Sequence, residues 1–259
     1  FWELSRVARD PDFADSPECA ARAARDSFVA RNAQRVFTLN QPMKTALIER
    51  GLDSNRVDIV PNGVSKLPVS PTPSGPLRQR LGLDEDDQVI GYVGSLSPYE
   101  GLDVLLDACT KLVEGGEKLK LLLVGDDQPL MASSAADKAN SGDEDTPPWL
   151  IQVGRVPHDQ VEDYYALLDA VVIPRKPLAV CQLVPPIKAA EALAYGKRLV
   201  VSNVAPLVEY AQKHEGVVTF EAGNGQSLAT ALRGSLKLPA PQPSTELLFS
   251  AHTEPIVRA

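Results

Sequence analysis

The stretch "QLVPPIKAAEALAYGKRLVVSN", Gln182 to Asn203, has the pattern of a buried helix that leads into a buried strand. Its two prolines suit the start of a helix, where the first amides have no partner within the helix. Its "RLVV" run is continuously apolar, which is typical of a parallel strand covered on both faces. The stretch therefore predicts one helix–strand unit of an α/β sheet.

Similar units recur along the chain. Further apolar runs predict strands, and amphipathic segments between them predict helices. The predicted strands are 88–93, 120–124, 170–173, 198–201 and 217–220, and the predicted helices are 101–114, 158–168, 186–195, 205–214 and 226–236. This alternation favours a Rossmann-like, doubly wound parallel sheet with right-handed crossovers. Ligands of such sheets bind at the carboxyl ends of the strands.

Four segments divide the chain. Residues 1–64 read as the tail of an N-terminal domain, with helices at 14–31 and 41–50 and a strand at 35–39. The Pro- and Ser-rich residues 65–76 predict a linker. Residues 77–240 hold the main sheet, in which 126–148 predict a mobile loop. Residues 241–259 predict a final helix over about 245–257.

Composition excludes several classes of function. The 259 residues carry a formal net charge of -8, which argues against a nucleic-acid partner held through phosphates. Three isolated cysteines favour a reducing compartment without disulfides, hence a cytoplasmic location. No apolar run reaches the length of a transmembrane helix, although association with the inner face of a membrane stays open. Neither a zinc-ligand spacing nor a phosphate-binding Walker loop occurs, so we expect no metal and no cofactor.

The start of the predicted helix at 186–195 collects positive charge. Lys188 lies in its first turn, where the helix dipole is already positive. Lys188 and free amides together would form a cradle for phosphate. Glu191 follows at i+3 on the same face, where it would accept hydrogen bonds from a sugar diol such as ribose. The alternative is a solvated Lys–Glu pair worth a few tenths of a kcal/mol, and the residues alone do not decide between them.

Two other strand ends carry candidate binding residues. Gly94 and Ser95 follow one buried strand, and glycine there lets the backbone approach a ligand, although a purely structural turn is the alternative. Arg175 and Lys176 follow another strand, and arginine suits phosphate oxygens, although two solvated cations would look the same. These cations and Lys188 fall at strand ends of one predicted sheet in an acidic chain, which favours an anion site.

These segments, in this order, resemble the donor-binding half of family 4 retaining glycosyltransferases with the GT-B fold. The matching pieces lie within 35–203: "VFTLNQPMKTALIERGLDSNRVDIVPNGV", "IGYVGSLSPYEGLDVLLDA", "LKLLLVGDD", "IQVGRVPHDQVEDYYALLDAVVIPRKP" and "PPIKAAEALAYGKRLVVSN". The resemblance implies two facing Rossmann-like domains, of which this chain has the C-terminal one and part of the other. It also implies a final helix that returns to the N-terminal domain.

The resemblance assigns roles to individual residues. Glu191 matches the acid that holds the nucleotide ribose, and Gly94, Ser95 and Lys188 match the diphosphate contacts. The base would lie against the backbone of 154–156, with Arg155 stacking on its ring. The complete set of donor-binding candidates is Gly94, Ser95, Arg155, Val156, Arg175, Lys176, Gln182, Val184, Lys188 and Glu191. No metal is needed, because the helix dipole and cations offset the charge of the leaving diphosphate.

The chain departs from the family pattern at three points. Ser95 and Glu100 replace the usual Arg and Lys, and we hypothesise that Arg175 and Lys176 supply the missing charge. Leu183 stands where the family has an acid for the donor sugar, with Gln182 as the nearest polar side chain. Most of the N-terminal domain, which carries the family's acceptor pocket and a functional histidine, is missing.

The resulting expectation is a donor-binding portion of a retaining hexosyltransferase that binds a UDP- or GDP-type sugar. The acceptor would be a saccharide or a lipid-linked glycan, and the catalytic residues would lie in the missing domain. Two alternatives stay open: a non-catalytic module that binds a nucleotide sugar or a partner subunit, and a sugar-nucleotide epimerase. The chain alone is expected to bind donor without transferring sugar.

Overall fold

The computed structural model describes residues 1–68, 75–126 and 146–253, together with Ile256. Half of the predicted linker and nearly all of the predicted loop at 126–148 lie outside these residues. The N-terminal part contains a short parallel strand pair with helices around it. Its elements are α1 (Trp2–Val7), α2 (Pro17–Asn32), β1 (Val36–Thr38), α3 (Gln41–Glu49) and β2 (Val57–Ile59).

The main part of the chain is an α/β unit. Its strands are β3 (Gln88–Gly94), β4 (Leu119–Gly125), β5 (Leu150–Val153), β6 (Ala170–Ile173), β7 (Arg198–Ser202) and β8 (Val217–Phe220). Its helices are α4 (Gly75–Arg80), α5 (Leu102–Glu114), α6 (Val161–Leu167), α7 (Ala179–Leu183), α8 (Ile187–Ala194), α9 (Ala205–Lys213) and α10 (Gly225–Ser235). The strands form one parallel sheet in the order β5-β4-β3-β6-β7-β8.

The strand order reverses between β3 and β6. From β3 the chain builds outward through β4 and β5, and it then returns to place β6 on the other side of β3. A reversal of this kind opens a crevice at the carboxyl ends of the two strands, because the loops that follow them leave in opposite directions. The crevice between β3 and β6 is therefore the expected ligand site of this sheet.

Side chains on each strand alternate between two hydrophobic layers. On β3, Val89 faces one layer while Ile90 and Tyr92 face the other, and all three are completely buried. The first layer contains residues of α6, α8 and α9, and the second contains residues of α5 and α10. Burial on both faces explains why the strands are continuously apolar rather than alternating.

The N-terminal part is attached to the α/β unit near α8. The amide of Asn62 donates to the Pro185 carbonyl oxygen at 3.1 Å, and that of Asn40 donates to the Leu183 carbonyl oxygen at 2.9 Å. Val64 pairs with the C-terminal segment through backbone hydrogen bonds to Leu247 and Phe249. Both chain ends thus contact the same side of the α/β unit.

The predicted elements are present, with boundary differences of a few residues, and one prediction is wrong. In place of a final helix over 245–257, the described residues form two short 3-10 turns, Thr245–Leu247 and Phe249–His252. Hydrogen bonds from this segment to Val64 replace the continuous intrahelical ladder. The short elements β5, α4 and α7 were not predicted, since each has fewer residues than one amphipathic repeat needs.

None of the helices in the described ranges has both the length and the apolar character that crossing a membrane requires.

Candidate functional site

The crevice at the strand reversal brings three chain segments together. One follows β3 and contains Gly94 and Ser95, a second follows β6 and contains Arg175, and the third runs from α7 into α8. In the sheet, Ile90 and Gly91 of β3 lie directly beside Ala170 and Val171 of β6. Adjacent parallel strands end at the same edge, so the segments after them meet at one place.

Lys188 occupies the centre of the crevice. Its side chain is 11% exposed, and its Nζ lies 3.0 Å from Oε2 of Glu100. The same ammonium donates to the Tyr92 hydroxyl at 2.6 Å and lies 4.4 Å from the centre of that ring. Tyr92 in turn donates to the Ser95 carbonyl oxygen at 2.6 Å. Lys188 therefore connects the start of α8 to the end of β3.

Arg175 lies beside Lys188 and shares its partner. Its Nη2 donates to Oε1 of Glu100 at 2.9 Å, and its Nε donates to Oε2 at 3.3 Å. Its Nη1 donates to the Val184 carbonyl oxygen at 2.7 Å, which ties the segment after β6 to the one before α8. Arg175 is 8% exposed and Glu100 is 2% exposed. A buried carboxylate thus bridges two buried cations.

The protonation states follow from this arrangement. Burial raises the pKa of Glu100, but the charges of Lys188 and Arg175 and their hydrogen bonds outweigh it, so the pKa falls below its usual value. Burial lowers the pKa of Lys188; the Glu100 charge opposes this, and the Arg175 charge adds to it. With all three groups ionised, Lys188, Arg175 and Glu100 form a buried cluster with one more positive than negative charge.

Gly94 makes room for Lys188 at the end of β3. Its φ of +141° lies in the region that favours glycine, and a Cβ there would lie 3.0 Å from the Lys188 Nζ. Ser95, the next residue, is exposed at the mouth of the crevice. A side chain at position 94 would therefore crowd the Lys188 ammonium, and glycine leaves that space to Lys188.

Glu191 lies one turn further along α8. It accepts a hydrogen bond from the Tyr165 hydroxyl at 3.4 Å through Oε2, and Tyr165 is fully buried. The Tyr165 ring stacks on Tyr195, with centroids 4.5 Å apart. Lys188 makes its ion pair with Glu100 rather than with Glu191, so the solvated Lys188–Glu191 pair that we considered as an alternative is not formed.

The loops after β4 and β5 are joined by Asp126. Its Oδ2 accepts from the Leu96 amide at 2.9 Å, and its Oδ1 accepts from Arg155 Nη2 at 3.1 Å. Arg155 is largely exposed, with a side-chain exposure of 76%, while Val156 packs partly against the core. The guanidinium of Arg155 thus borders the crevice on the side opposite β6.

The remaining candidates have structural partners. Lys176 forms an ion pair with Asp103 at 2.9 Å near the surface, whereas its neighbour Arg175 is buried. The Gln182 Oε1 accepts from the Ala205 amide at 3.0 Å, at the start of α9. Val184 contributes its carbonyl oxygen to Arg175. The structure brings Arg175, Val184, Lys188 and Gly94 together and places Lys176 outside this group.

Two participants were not identified in the sequence. Glu100 was considered only as a departure from a family pattern, and Tyr92 was counted only as a strand residue. The local sequence says little about either one, because their contacts with Arg175 and Lys188 span 75 to 96 positions. The only local signal is an acid placed directly before Gly101.

A cavity of about 740 Å³ lies apart from these residues, between the N-terminal part, α9 and the C-terminal turns. Its lining includes Asn40, Asn62, Pro185, Tyr210 and His214. Pro185 lines this cavity and directly follows Val184, which borders the crevice. The two places are therefore next to each other along the chain.

Across the described residues, no three His, Cys, Asp or Glu side chains are grouped as a metal ion would require.

Comparison with known proteins gives consistent results. The family model for glycosyl transferases group 1 matches residues 87–237. Lipopolysaccharide 1,2-N-acetylglucosaminetransferase of Salmonella typhimurium is 30% identical over 183 residues, which cover 69% of this chain and 46% of that protein. D-inositol 3-phosphate glycosyltransferase of Rhodococcus opacus is 27% identical over 232 residues, which cover 87% of this chain and 50% of that protein. The chain therefore spans about half the length of these curated relatives.

Solved structures show the same fold. Sucrose-phosphate synthase from Thermosynechococcus elongatus matches with a TM-score of 0.66 at 22% identity, over 92% of this chain and 57% of that one. Anabaena Alr3699/HepE in complex with UDP-glucose matches with a TM-score of 0.66 at 22% identity, over 86% of this chain and 60% of that one. The predicted fold, a Rossmann-like sheet of a GT-B glycosyltransferase, is confirmed.

Proposed function

We infer that this chain, which belongs to the glycosyl transferases group 1 family, is the donor-binding portion of a family 4 retaining hexosyltransferase. One observation carries the proposal: the buried cations Arg175 and Lys188 meet the start of α8 at the strand reversal. An anion is the expected ligand of such a place, and a nucleoside diphosphate is the anion that a Rossmann-like crevice fits.

The diphosphate would lie at the start of α8, beside Lys188. The first amides of a helix lack acceptors within the helix, and the helix dipole adds about half a positive charge there. The exposed Ser95 and the small Gly94 leave the end of β3 open to phosphate oxygens. In this proposal Lys188 and the helix contact the ligand, while Arg175 contributes mainly its charge.

The nucleoside would extend along α8 toward Glu191. The Glu191 carboxylate has acceptor capacity beyond its hydrogen bond from Tyr165, and a ribose diol would donate to it. The base would lie against the backbone near Val156, with the exposed Arg155 guanidinium stacked on it. UDP is the donor nucleotide that we favour, since Alr3699/HepE, of similar fold, is described in complex with UDP-glucose.

In the complete enzyme these residues would assist departure of the diphosphate. Charge accumulates on the leaving phosphate as the bond to the anomeric carbon lengthens and the sugar becomes oxocarbenium-like. Lys188 and the dipole of α8 would stabilise that charge without a metal ion, because they are held in place before the reaction begins. The acceptor, a saccharide or lipid-linked glycan, would be positioned by parts of the protein beyond this chain.

Calorimetry with nucleoside diphosphates tests the proposal directly. We expect the chain to bind UDP, and we expect GDP and ADP to bind more weakly. Adding UDP should also raise the melting temperature, because a ligand that binds only the folded state stabilises it. If none of UDP, GDP and ADP binds, the donor-binding assignment is wrong.

The ribose contact predicts a selective effect of Glu191→Gln. The variant should bind UDP about 10- to 100-fold more weakly, because hydrogen bonds to a charged carboxylate are stronger than those to an amide. Binding of inorganic pyrophosphate, which has no ribose, should stay unchanged. Glu215→Gln, at an exposed position beyond α9, is the matched control. An equal loss of UDP and pyrophosphate binding would contradict a ribose contact.

A non-catalytic module that binds a nucleotide sugar or a partner subunit is the second candidate. Two observations favour it: Leu183 stands at the position of an expected acid, and the Gln182 oxygen is already occupied by the Ala205 amide. Such a module would bind UDP and a UDP-sugar equally well. Tighter binding of one UDP-sugar than of UDP would show that the crevice contacts the sugar despite Leu183, which would remove the observations that favour this candidate.

The cellular setting is part of the proposal. All three cysteines, Cys19, Cys109 and Cys181, are free thiols, which supports a reducing environment such as the cytoplasm. In this proposal the nucleotide-sugar donor would come from the same compartment.

A further inference from the structure

A carboxylate occupies the place where an anionic ligand is expected. Glu100 has its two oxygens directed at two different cations, with Arg175 Nη2 at 2.9 Å and Lys188 Nζ at 3.0 Å. All three side chains are nearly inaccessible to solvent. Simple charge counting says that Glu100 opposes anion binding, because it reduces the positive charge of the crevice.

The geometry indicates a different role. Each cation is held from two sides: Arg175 by Glu100 and the Val184 carbonyl, and Lys188 by Glu100 and the Tyr92 hydroxyl. Glu100 is the only one of these partners that contacts both cations. It therefore sets the separation between Arg175 and Lys188, and through them it connects the segments after β3, after β6 and before α8.

Removing the negative charge of Glu100 would leave the positive charges of Arg175 and Lys188 side by side where little water reaches them. Repulsion between unit charges a few ångströms apart is strong where water is excluded. The cations would relieve it by moving apart, or Lys188 would lose its proton, since burial and Arg175 already favour the neutral amine. Either change would disrupt the pair of neighbouring cations that a bound diphosphate would contact.

We propose that Glu100 is a positioning residue of the diphosphate site: its carboxylate holds the side chains of Arg175 and Lys188 together. The proposal rests on the function proposed above. It predicts that neutralising Glu100 weakens the binding of an anion, which is opposite in sign to what charge counting predicts. The sign of the change therefore decides between the two explanations.

The test compares wild type with Glu100→Gln, which keeps the shape of the side chain and removes its charge. UDP is titrated by calorimetry between pH 7.5 and 9.5, above the last ionisation of its terminal phosphate at about 6, and inorganic pyrophosphate is titrated at pH 7.5 only. At pH 7.5 we expect about tenfold weaker binding of both ligands by the variant. Circular dichroism at the titration temperature confirms that each protein is folded.

The pH profile provides a readout that a merely structural role would not change. Anion binding requires protonated Lys188, so a lower pKa of Lys188 makes affinity fall as the pH rises through that value. We expect such a fall in Glu100→Gln and a flatter profile in wild type. The other titratable groups near Lys188 are Tyr92, Tyr99 and Cys181, and they are present in both proteins. Tyr92 and Cys181 also interact with Glu100, but burial holds the pKa of Tyr92 well above its usual value and raises that of Cys181 to about 11, so a difference between the profiles below pH 9.5 reports on Lys188.

Glu100→Asp is the conservative variant, with the charge retained and drawn back by one methylene. It should bind UDP with an affinity between those of wild type and Glu100→Gln, and it should keep the wild-type pH profile. If Glu100→Gln does not fold, Glu100→Asp replaces it in the test. UDP binding by Glu100→Asp that is equal to or tighter than that of wild type would then overturn the proposal.

The outcomes separate this inference from the proposed function. If wild type binds UDP and Glu100→Gln binds it equally well or more tightly, the positioning role is wrong and the donor site stands. A Glu100→Gln profile that is as flat as that of wild type also contradicts the role. If wild type binds neither UDP nor pyrophosphate, the donor site itself is wrong, and the positioning role fails with it.

Discussion

Gly101→Ala is expected to destabilise the protein by about 2–5 kcal/mol. Gly101 has a φ of +76°, and alanine in this left-handed region costs about 1–2 kcal/mol. A Cβ at this position would also lie 1.9 Å from the Pro174 carbonyl oxygen, which is backbone and cannot rotate away. Forcing these segments apart adds about 1–3 kcal/mol.

Gly82→Ala is the matched control for this prediction. Gly82 has a similar φ of +64°, but a Cβ there would meet no atom within 4 Å. It should therefore show only the cost of the left-handed backbone. Thermal unfolding measures the stability of both variants. The melting temperature of Gly101→Ala should fall by roughly 10 °C. Equal melting temperatures for the two variants would show that the contact with Pro174 is unimportant.

The effect of Gly101→Ala should extend to the crevice. Gly101 directly follows Glu100, and the Lys176 amide donates to the Tyr99 carbonyl oxygen at 3.0 Å beside it. Because Gly101 has no side chain, the turn that contains Glu100 packs closely against the segment that contains Arg175. We expect reduced UDP affinity in whatever fraction of Gly101→Ala stays folded, and unchanged affinity in Gly82→Ala.

Lys188→Met is expected to weaken UDP binding by about 100-fold. Methionine keeps most of the apolar stem but removes the ammonium, and each charge-assisted hydrogen bond is worth about 1.5–3 kcal/mol. Glu100 would keep its contacts with Arg175, so the variant leaves that buried carboxylate paired. The loss should therefore appear in ligand affinity more than in the free energy of unfolding.

Lys197→Met provides the control, because Lys197 is also a partly buried lysine but precedes β7 at the opposite edge of the sheet. Its Nζ donates to the Ala166 carbonyl oxygen at 3.2 Å. Calorimetry should show wild-type UDP affinity for Lys197→Met. Similar UDP affinities for Lys188→Met and wild type would exclude Lys188 from the diphosphate site.

The sequence determined the fold class of this protein. Parallel strands covered on both faces must be continuously apolar, so segments such as "RLVV" at 198–201 mark the sheet without reference to any neighbour. The positive start of α8 is equally local, because Lys188 and Glu191 are three residues apart on one helix. Resemblance to a family then connected these residues to a donor-binding role, which stays a proposal.

Tertiary structure decided the strand order and the electrostatics of the crevice. Strand order depends on how crossovers pack, so the reversal between β3 and β6 could not be inferred from any single segment. Glu100 is 88 residues from Lys188 and 75 from Arg175, and no local pattern predicts that it pairs with both. Local periodicity encodes which face of an element is buried, whereas the partner of a buried charge depends on which distant segments the fold brings together.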